Sequence, residues 1–299
     1  MTLHPTLIKN IISMYGETGQ QWLNQLPLLL ADYEEQWQLT LGKPFSNLSF
    51  NYVTEALLSD GTSVVLKCGV PNKELMQEAA ALKHFNGCGA VKLLQSDAEQ
   101  GVLLLEKITP GIMLEDDHQS RNATAYAVEV MRKLHKPIHD TSPFPTLQDW
   151  FKGFDRLYMQ FNGTTGPFPT ALIERAQNIS HDLLTSMTKQ VLLHGDLHYA
   201  NILFSDTKGW LAIDPKGVIG EPEYDIPLPR LNAKQMTAHE LQYELDHLIE
   251  LSGFDKTRIM HWFFCKIALA AWWSFEDSGE IYQPFLDYAQ MVWDCNTLG

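Results

Sequence analysis

Three side chains suited to binding a divalent cation lie close together in the second half of the chain. Asp196 and Asn201 are five residues apart in a polar loop between two apolar segments, and Asp214 ends a second short apolar run. Two short strands joined by a turn would bring these side chains to one edge. Carboxylate and amide oxygens are hard ligands that suit Mg²⁺, an ion that commonly shares its site with substrate phosphates. A carboxylate that the metal does not need would be free to orient an attacking hydroxyl group.

A lysine and a glutamate form a second group in the first half of the chain. Lys67 lies near the end of a predicted strand, and Glu78 follows eleven residues later on the next predicted helix. A lysine on a strand can contact phosphate oxygens as a point charge, and a glutamate can hold that lysine in place. Kinase-like folds present their groups for phosphoryl transfer in this same order, from lysine and glutamate to aspartate, asparagine and aspartate.

Hydrophobic periodicity predicts the elements that must position these groups. In the first part of the chain it predicts helices over 7–38 and 72–86 and strands over 48–53, 63–68, 90–94 and 101–106, with a hairpin turn at 59–61. After a break at 109–111 it predicts helices over 123–135, 150–161, 173–187, 240–251 and 258–276, with one short β region over 191–214. The layout predicts an α+β fold, with a small α/β lobe joined to a larger helical lobe by a tether near 105–111. A ligand would favour the cleft between two such lobes.

Composition excludes several classes of protein. Of the 299 residues, 45% are apolar, which is enough for a sizeable core and excludes wholesale disorder. The net charge of −14 repels phosphate backbones and anionic headgroups, so we expect no nucleic-acid or membrane partner. The four cysteines show no CxxC spacing, which argues against a zinc knuckle or a redox dithiol. The first residues lack the pattern of a signal peptide, and the most apolar stretch, 259–275, is short for a membrane span, so we expect a cytoplasmic protein.

The sequence resembles the aminoglycoside phosphotransferase group of kinase-like small-molecule kinases, and within it the streptomycin 6-kinase and hydroxyurea phosphotransferase family. The matching strings are PFSNLSFNYV (44–53), VLK (65–67), EAAAL (78–82), LLLE (103–106), HGDLHYAN (194–201), IDPKG (213–217), GEPEYD (220–225) and AWWSFED (271–277). Together they extend from about residue 40 to residue 280, most of the chain. The pair formed by HGDLHYAN and IDPKG is specific for the fold and the reaction, and less specific for the substrate.

The resemblance implies a protein-kinase-like two-lobed fold, with antiparallel sheet and helix in a nucleotide-binding lobe over 1–106 and a mostly helical C-terminal lobe over 107–299. It implies ATP and Mg²⁺ as cofactors, and transfer of the γ-phosphate to a hydroxyl of a small molecule. Streptomycin-like aminoglycosides or hydroxyurea are the implied acceptors. Asp196 would orient the acceptor hydroxyl and take its proton, while Asn201 and Asp214 would hold Mg²⁺ against the phosphates.

The resemblance also implies a nucleotide site. Lys67 would contact the α- and β-phosphates with Glu78 pairing it. A loop beginning with Leu48 and Ser49 would cover the phosphates, and the backbone of Glu106 and Ile108 would bind the adenine edge. Three candidate acceptor contacts remain: His198 in the catalytic loop, and Glu276 and Asp277, an acidic pair at a helix C-terminus, where cations are preferred.

Two departures from protein kinases shape these expectations. The segment over the phosphates has no glycine, so Ser49 and backbone amides must serve there. Gly195 stands where a protein kinase has an arginine, and the chain from Asp214 to Tyr224 leaves no room for an activation loop. We therefore expect that phosphorylation does not switch the enzyme and that its acceptor is not a protein.

Other interpretations stay open at this point. The polar loop residues could cap their own backbone in turns. His194, Asp196 and His198 alternate as the ligands of a metal-dependent hydrolase would. A nucleotide-binding pseudokinase that acts as a scaffold would carry the same motifs. We expect His135 to pack at the end of its helix, and we expect His194 to be a structural part of the loop.

Overall fold

The computed structural model describes residues 3–46, 48–116, 122–138, 143–227 and 237–297. Its helices are α1 (Pro5–Gln36), α2 (Lys73–Phe85), α3 (Ala123–Leu134), α4 (Leu147–Phe151), α5 (Gly153–Gln160), α6 (Thr170–Thr185), α7 (Ala238–Ser252), α8 (Lys256–Ser278) and α9 (Gln283–Thr297). Its strands are β1 (Thr40–Pro44), β2 (Tyr52–Leu57), β3 (Ser63–Cys68), β4 (Leu93–Asp97), β5 (Val102–Glu106), β6 (Pro110–Met113), β7 (Val191–Leu193), β8 (Ile202–Ser205), β9 (Gly209–Ala212) and β10 (Val218–Gly220).

An antiparallel sheet of five strands forms the N-terminal region, in the order β1-β2-β3-β5-β4. In strand β3 the side chains of Val64, Leu66 and Cys68 are buried and point to the same face of the sheet. These side chains share a core with the long helix α1, which covers one face of the sheet. Lys67, being out of phase with them, lies on the opposite face, which is also the side of helix α2.

Helix α2 brings a glutamate to that opposite face. The Asn72 side chain caps its first turn by accepting from the Leu75 N–H at 2.8 Å. Leu75, Leu82 and Phe85 recur at helical spacing and are buried, and Glu78 lies among them on the same face. The predicted helix over 72–86 is thus confirmed to within a residue at each end, and its apolar face carries Glu78 toward strand β3.

Residues 191–220 contribute strands to two small sheets, one of β10 with β7 and one in the order β6-β8-β9. Strand β9 also exchanges backbone hydrogen bonds with the N-terminal region: Val91 N–H donates to the Ala212 carbonyl at 2.8 Å, and Ala212 N–H donates to the Gly89 carbonyl at 2.8 Å. These bonds lie two residues before Asp214. They therefore fix the position of Asp214 relative to the N-terminal sheet.

Helix α8 is the centre of the C-terminal region. It is buried on most of its circumference, which is typical of a helix enclosed by others. Helix α5 approaches it closely at Gly153, where a Cβ would lie 2.6 Å from Leu269 Cδ1. In the part of the chain that the structure describes, no helix is long and apolar enough to cross a membrane.

Four sequence-based expectations about the elements were wrong. The strand predicted over 48–53 begins at Tyr52, because Leu48 turns into the core while Phe50 stays exposed. The break at 109–111 leads into β6, which pairs with β8. The single helix over 150–161 is two helices, α4 and α5. The strand predicted over 90–94 lies further along the chain, as β4 over 93–97. Strand β1 and helix α9 are two further elements that the sequence did not predict.

Candidate active site

Lys67 and Glu78 form a buried ion pair between strand β3 and helix α2. The Lys67 Nζ lies 2.7 Å from Glu78 Oε1 and 2.9 Å from Oε2, and it donates to Asp214 Oδ1 at 2.9 Å. Asp214 belongs to the C-terminal region, and its side chain is 49% exposed. A single ammonium therefore joins both regions of the protein at the open end of the cleft.

Burial and charge act against one another on the three groups of this cluster, Lys67, Glu78 and Asp214. Burial by itself lowers the pKa of Lys67, but the carboxylates of Asp214 and Glu78 outweigh it and raise that pKa above its ordinary value. Partial removal from water raises the pKa of Asp214, yet the Lys67 ammonium outweighs that effect and the pKa is lowered. At neutral pH the cleft thus presents an ammonium beside an ionised carboxylate. Asp214 also adopts a left-handed backbone with φ of 58°, a conformation that is uncommon for residues other than glycine.

The loop that follows strand β7 is anchored by a buried carboxylate. Asp225 Oδ2 accepts from the His194 N–H at 2.7 Å, and Oδ1 accepts from the Gly195 N–H at 2.9 Å. His135 Nε2 lies 3.2 Å from Asp225 Oδ2, at the C-terminal end of α3. The helix-end position predicted for His135 is correct, and the structure adds that its imidazole contacts Asp225.

Both ring nitrogens of His194 have backbone partners. Nε2 lies 2.9 Å from the Ile213 carbonyl oxygen, and Nδ1 accepts from the Asp196 N–H at 3.2 Å. The ring is buried, and burial lowers the pKa of His194, so the neutral imidazole carries its proton on Nε2. With both nitrogens engaged, His194 is not available as a metal ligand. The geometry therefore disfavours the alternating metal site of a hydrolase.

Asn201 ties the two halves of the loop together. The Asn201 side-chain Nδ2 donates to the main-chain carbonyl oxygen of Asp196 at 3.1 Å. The main-chain carbonyl oxygen of Asn201 accepts from the Ile213 N–H at 2.9 Å. The Asp196 side chain, on the open side of the loop, is 43% exposed. Asn201 therefore joins the backbone of the loop, at Asp196, to the backbone just before Asp214, at Ile213.

The donor set at this edge fits a hard divalent cation. Within the described ranges, no three His, Cys, Asp or Glu side chains lie close enough to hold a metal ion by themselves. Two half-open carboxylates, on Asp196 and Asp214, and the remaining oxygen of the Asn201 amide are available instead. A site of few protein oxygens suits Mg²⁺, which retains several waters and binds substrate phosphates.

The segments predicted to contact the nucleotide already make several contacts within the protein. The Leu48 side chain is buried in the core, and the Ser49 carbonyl accepts from Asn10 Nδ2 of helix α1 at 3.2 Å. The Glu106 N–H already donates to the Lys92 carbonyl at 3.0 Å, and its carboxylate pairs with Lys208. The predicted adenine contacts therefore depend on the Glu106 carbonyl oxygen and on Ile108.

The candidate acceptor contacts differ in their surroundings. His198 Nε2 lies 3.8 Å from Asp196 Oδ2, next to the predicted catalytic carboxylate. Glu276 is held by Arg156 of helix α5 through two hydrogen bonds of 2.7 and 2.9 Å, so its charge is already paired. Desolvation and the carboxylates of Glu74 and Glu276 raise the pKa of Asp277. Asp277 therefore belongs to a group of acidic side chains with Glu74 and Glu276.

Sequence reasoning assigned no role to several residues that shape the site. Asp225 lay in a matching string, but only its burial and its three partners show what it does. Lys216 lay in another matching string, and the structure pairs it with Glu74 of helix α2 at 3.0 Å. Asn10 carried no signal, because its contact with Ser49 spans 39 positions of the sequence.

Solved structures define the class of protein to which this fold belongs. The choline kinase LicA from Streptococcus pneumoniae is similar with a TM-score of 0.62 and 14% identity, over 92% of this chain and 99% of that chain. The aminoglycoside phosphotransferase APH(4)-Ia is similar with a TM-score of 0.61 and 14% identity, over 91% and 97%. The fold is therefore the protein-kinase-like fold of small-molecule kinases, and the predicted fold class is confirmed.

Sequence comparison then shows the family. The family model described as aminoglycoside/hydroxyurea antibiotic resistance kinase matches residues 37–278, and the chain belongs to that family. The chain is 27% identical to the streptomycin 6-kinase of Streptomyces glaucescens, over 90% of each protein. It is 29% identical to the hydroxyurea phosphotransferase of Kitasatospora aureofaciens, over 90% of this chain and 78% of the relative. The resemblance drawn from the motifs is thus confirmed, and the protein is a small-molecule kinase with a hydroxyl group as acceptor.

Proposed function

We propose that the protein transfers the γ-phosphate of ATP, in a Mg²⁺-dependent reaction, to a hydroxyl of a streptomycin-like aminoglycoside or of hydroxyurea. One observation carries this proposal: Lys67, paired with Glu78, meets Asp214 at 2.9 Å, beside the loop of Asp196 and Asn201. Residues 1–106 act as the nucleotide-binding lobe in this proposal, and residues 107–299 supply the catalytic loop and the acceptor site.

The roles of the residues follow from their positions. The Lys67 ammonium binds the α- and β-phosphates, and Glu78 holds it in place. The Asp214 carboxylate and the Asn201 amide oxygen would hold Mg²⁺, which would supply positive charge against the phosphate oxygens. Asp196 accepts a hydrogen bond from the acceptor hydroxyl and takes its proton as the phosphoryl group arrives. Because phosphoryl transfer needs little covalent work from the protein, positioning supplies most of the catalysis.

The names of the relatives and the charge of the protein support the acceptor class. Two relatives are streptomycin 6-kinases, and one is a hydroxyurea phosphotransferase. A net charge of −14 favours a cationic acceptor. Of the candidate contacts, His198 and Asp277 are kept for the acceptor, since Arg156 already neutralises Glu276.

The test is a screen of ADP release over aminoglycosides, amino alcohols, sugars and hydroxyurea, with mass spectrometry of the product. We expect acceptor-dependent turnover, and we expect Asp196→Ala to lower kcat by about 10²- to 10⁴-fold, the range for loss of a positioned base. Nucleotide binding should survive the change. Asp206→Ala removes an exposed carboxylate from the β8–β9 turn, at the end of that hairpin away from Asn201 and Asp214, and serves as the matched control, with turnover unchanged.

Two outcomes would contradict the proposal. One is nucleotide binding without turnover of any acceptor, which would favour the pseudokinase alternative. The other is an Asp196→Ala protein that turns over the acceptor as fast as the Asp206→Ala control.

A further inference from the structure

A second lysine lies at the cleft, on the side of the catalytic loop. Lys216 follows Asp214 by two residues, and its backbone N–H donates to the His194 carbonyl at 2.8 Å. The Lys216 Cβ lies 3.2 Å from the position that a Cβ would occupy at Gly195. The base of the Lys216 side chain is therefore fixed against the residue that precedes Asp196.

The Lys216 ammonium reaches across the cleft to the N-terminal region. Its Nζ lies 3.0 Å from Glu74 Oε2, in the first turn of helix α2. The two side chains are 46% and 71% exposed. An ion pair that is exposed to this extent contributes little to stability. A more highly charged anion can therefore displace Glu74 from the Lys216 ammonium.

The Lys216 side chain spans from the loop after strand β7 to helix α2. Its base lies against Gly195, the residue before Asp196, and its Nζ lies 3.0 Å from Glu74. Glu74 and Glu78 are four residues apart on helix α2 and therefore share one face of it. The side chain thus connects the loop that carries the predicted base with the helix that carries the partner of Lys67.

The two lysines of the cleft differ in how strongly they are held. Lys67 is buried and bound by Glu78 and Asp214 together, whereas Lys216 is half-exposed and has one solvent-exposed partner. Phosphoryl transfer spreads negative charge over the oxygens of the transferring group, and a cation placed there lowers the barrier. Lys216 is anchored beside the residue that precedes Asp196, and its ammonium is loosely held, as that role requires.

We propose that Lys216 is a catalytic residue that leaves Glu74 and donates hydrogen bonds to the oxygens of the transferring γ-phosphoryl group. In the step it assists, the bond between the acceptor oxygen and phosphorus forms and the bond from phosphorus to the β–γ bridging oxygen breaks. The acceptor proton passes to Asp196, and the bridging oxygen leaves with ADP. Lys216 keeps its protons throughout. This inference rests on the proposed function and adds to it a residue on the acceptor side.

The experiment measures kcat and KM with the best acceptor of the screen for the wild-type protein, Lys216→Met, Lys216→Arg and Glu74→Gln. We expect Lys216→Met to lower kcat by about 10²- to 10³-fold, the usual effect of losing one donor to a charge that develops in the transition state. The KM for ATP should change by less than about threefold, since a contact made mainly in the transition state alters kcat. Lys216→Arg should recover part of kcat, and Glu74→Gln should keep it, because the ammonium is still present.

Lys256→Met is the matched control. Lys256 is also half-exposed with one exposed carboxylate partner, Asp246, and it lies at the start of helix α8. Thermal unfolding of every variant, with and without Mg²⁺ and ADP, shows whether the fold and the nucleotide site persist.

The outcomes separate the two proposals. If Lys216 served only to tie the two regions together, Glu74→Gln would lose as much kcat as Lys216→Met, and that result would overturn the inference. A Lys216→Met protein with the same kcat as the wild-type protein would also overturn the inference, and it would leave the proposed function intact. An absence of wild-type turnover on every acceptor would remove both.

Discussion

At the scale of single residues, the buried carboxylate of Asp225 organises the catalytic loop from beneath. It accepts hydrogen bonds from two successive backbone N–H groups, those of His194 and Gly195, and contacts His135. A buried charge with this many partners is expensive to leave unpaired, so the loop and the carboxylate stabilise one another. The position of Asp196, one residue further on, depends on this anchor.

The lowered pKa of the buried Asp225 carboxyl predicts that the protein loses stability in acid. Burial raises the pKa of Asp225, but the hydrogen bond and the charge of His135, with the charge of Lys266, lower it to about 2, from an ordinary value of 3.8. A carboxyl whose pKa is lower in the folded state stabilises the fold above pH 4 and loses that effect as the pH falls toward 2. The stabilisation amounts to about 2 kcal/mol.

Urea unfolding measured between pH 6 and pH 2.5 tests this effect. The free energy of unfolding should fall more steeply below pH 4 in the wild-type protein than in Asp225→Asn. At neutral pH the variant should be less stable by about 2–3 kcal/mol, because the amide replaces an acceptor of charged hydrogen bonds. Parallel acid slopes in the two proteins would show that Asp225 has no lowered pKa.

At the scale of secondary-structure elements, the turn after strand β7 requires a glycine for two separate reasons. Gly195 has a φ of +85°, a backbone conformation that disfavours a side chain. A Cβ there would also lie 2.7 Å from Trp150 Cη2 of helix α4. The arginine of protein kinases does not fit at this position, which gives a steric reason for the departure seen in the sequence.

Gly195→Ala should lower both stability and kcat. We expect a destabilisation of about 1–3 kcal/mol from backbone strain and overpacking, with a loss of kcat because Asp196 is displaced. Gly61→Ala is the matched control, since Gly61 has a φ of +83° with open space around it. The control should lose stability and retain kcat; an equal effect of both changes on kcat would contradict a role for the contact with Trp150.

The elements differed in how far the sequence predicted them. Helix α2 was predicted well because its apolar spacing and its Asn72 cap are local signals. Strand β1 was not predicted, because its side chains are mostly exposed and show no alternation between apolar and polar residues. The segment over 48–53 alternates like a strand, yet only its last two residues belong to one, because packing under helix α1 overrides the local pattern.

At the scale of the whole molecule, residue type and spacing identified the chemistry of the site but not the contacts across it. Lys67 and Glu78 were predicted to pair, and the structure places them at 2.7 Å. The pairing of Lys216 with Glu74 spans 142 positions, and that of Glu276 with Arg156 spans 120. No local pattern encodes such separations, since they depend on how the two regions meet.

The central claim is that groups from both regions bind one complex of nucleotide and magnesium. Titration calorimetry of ADP, with Mg²⁺ and with EDTA, tests it in the wild-type protein and in Asp214→Ala. We expect Mg²⁺ to raise the wild-type affinity by about tenfold or more, a difference of about 1.4 kcal/mol. Binding by Asp214→Ala should persist in EDTA and gain almost nothing from Mg²⁺, because the metal loses its carboxylate ligand. An equal gain from Mg²⁺ in both proteins, or no binding of nucleotide by the wild-type protein, would contradict the account.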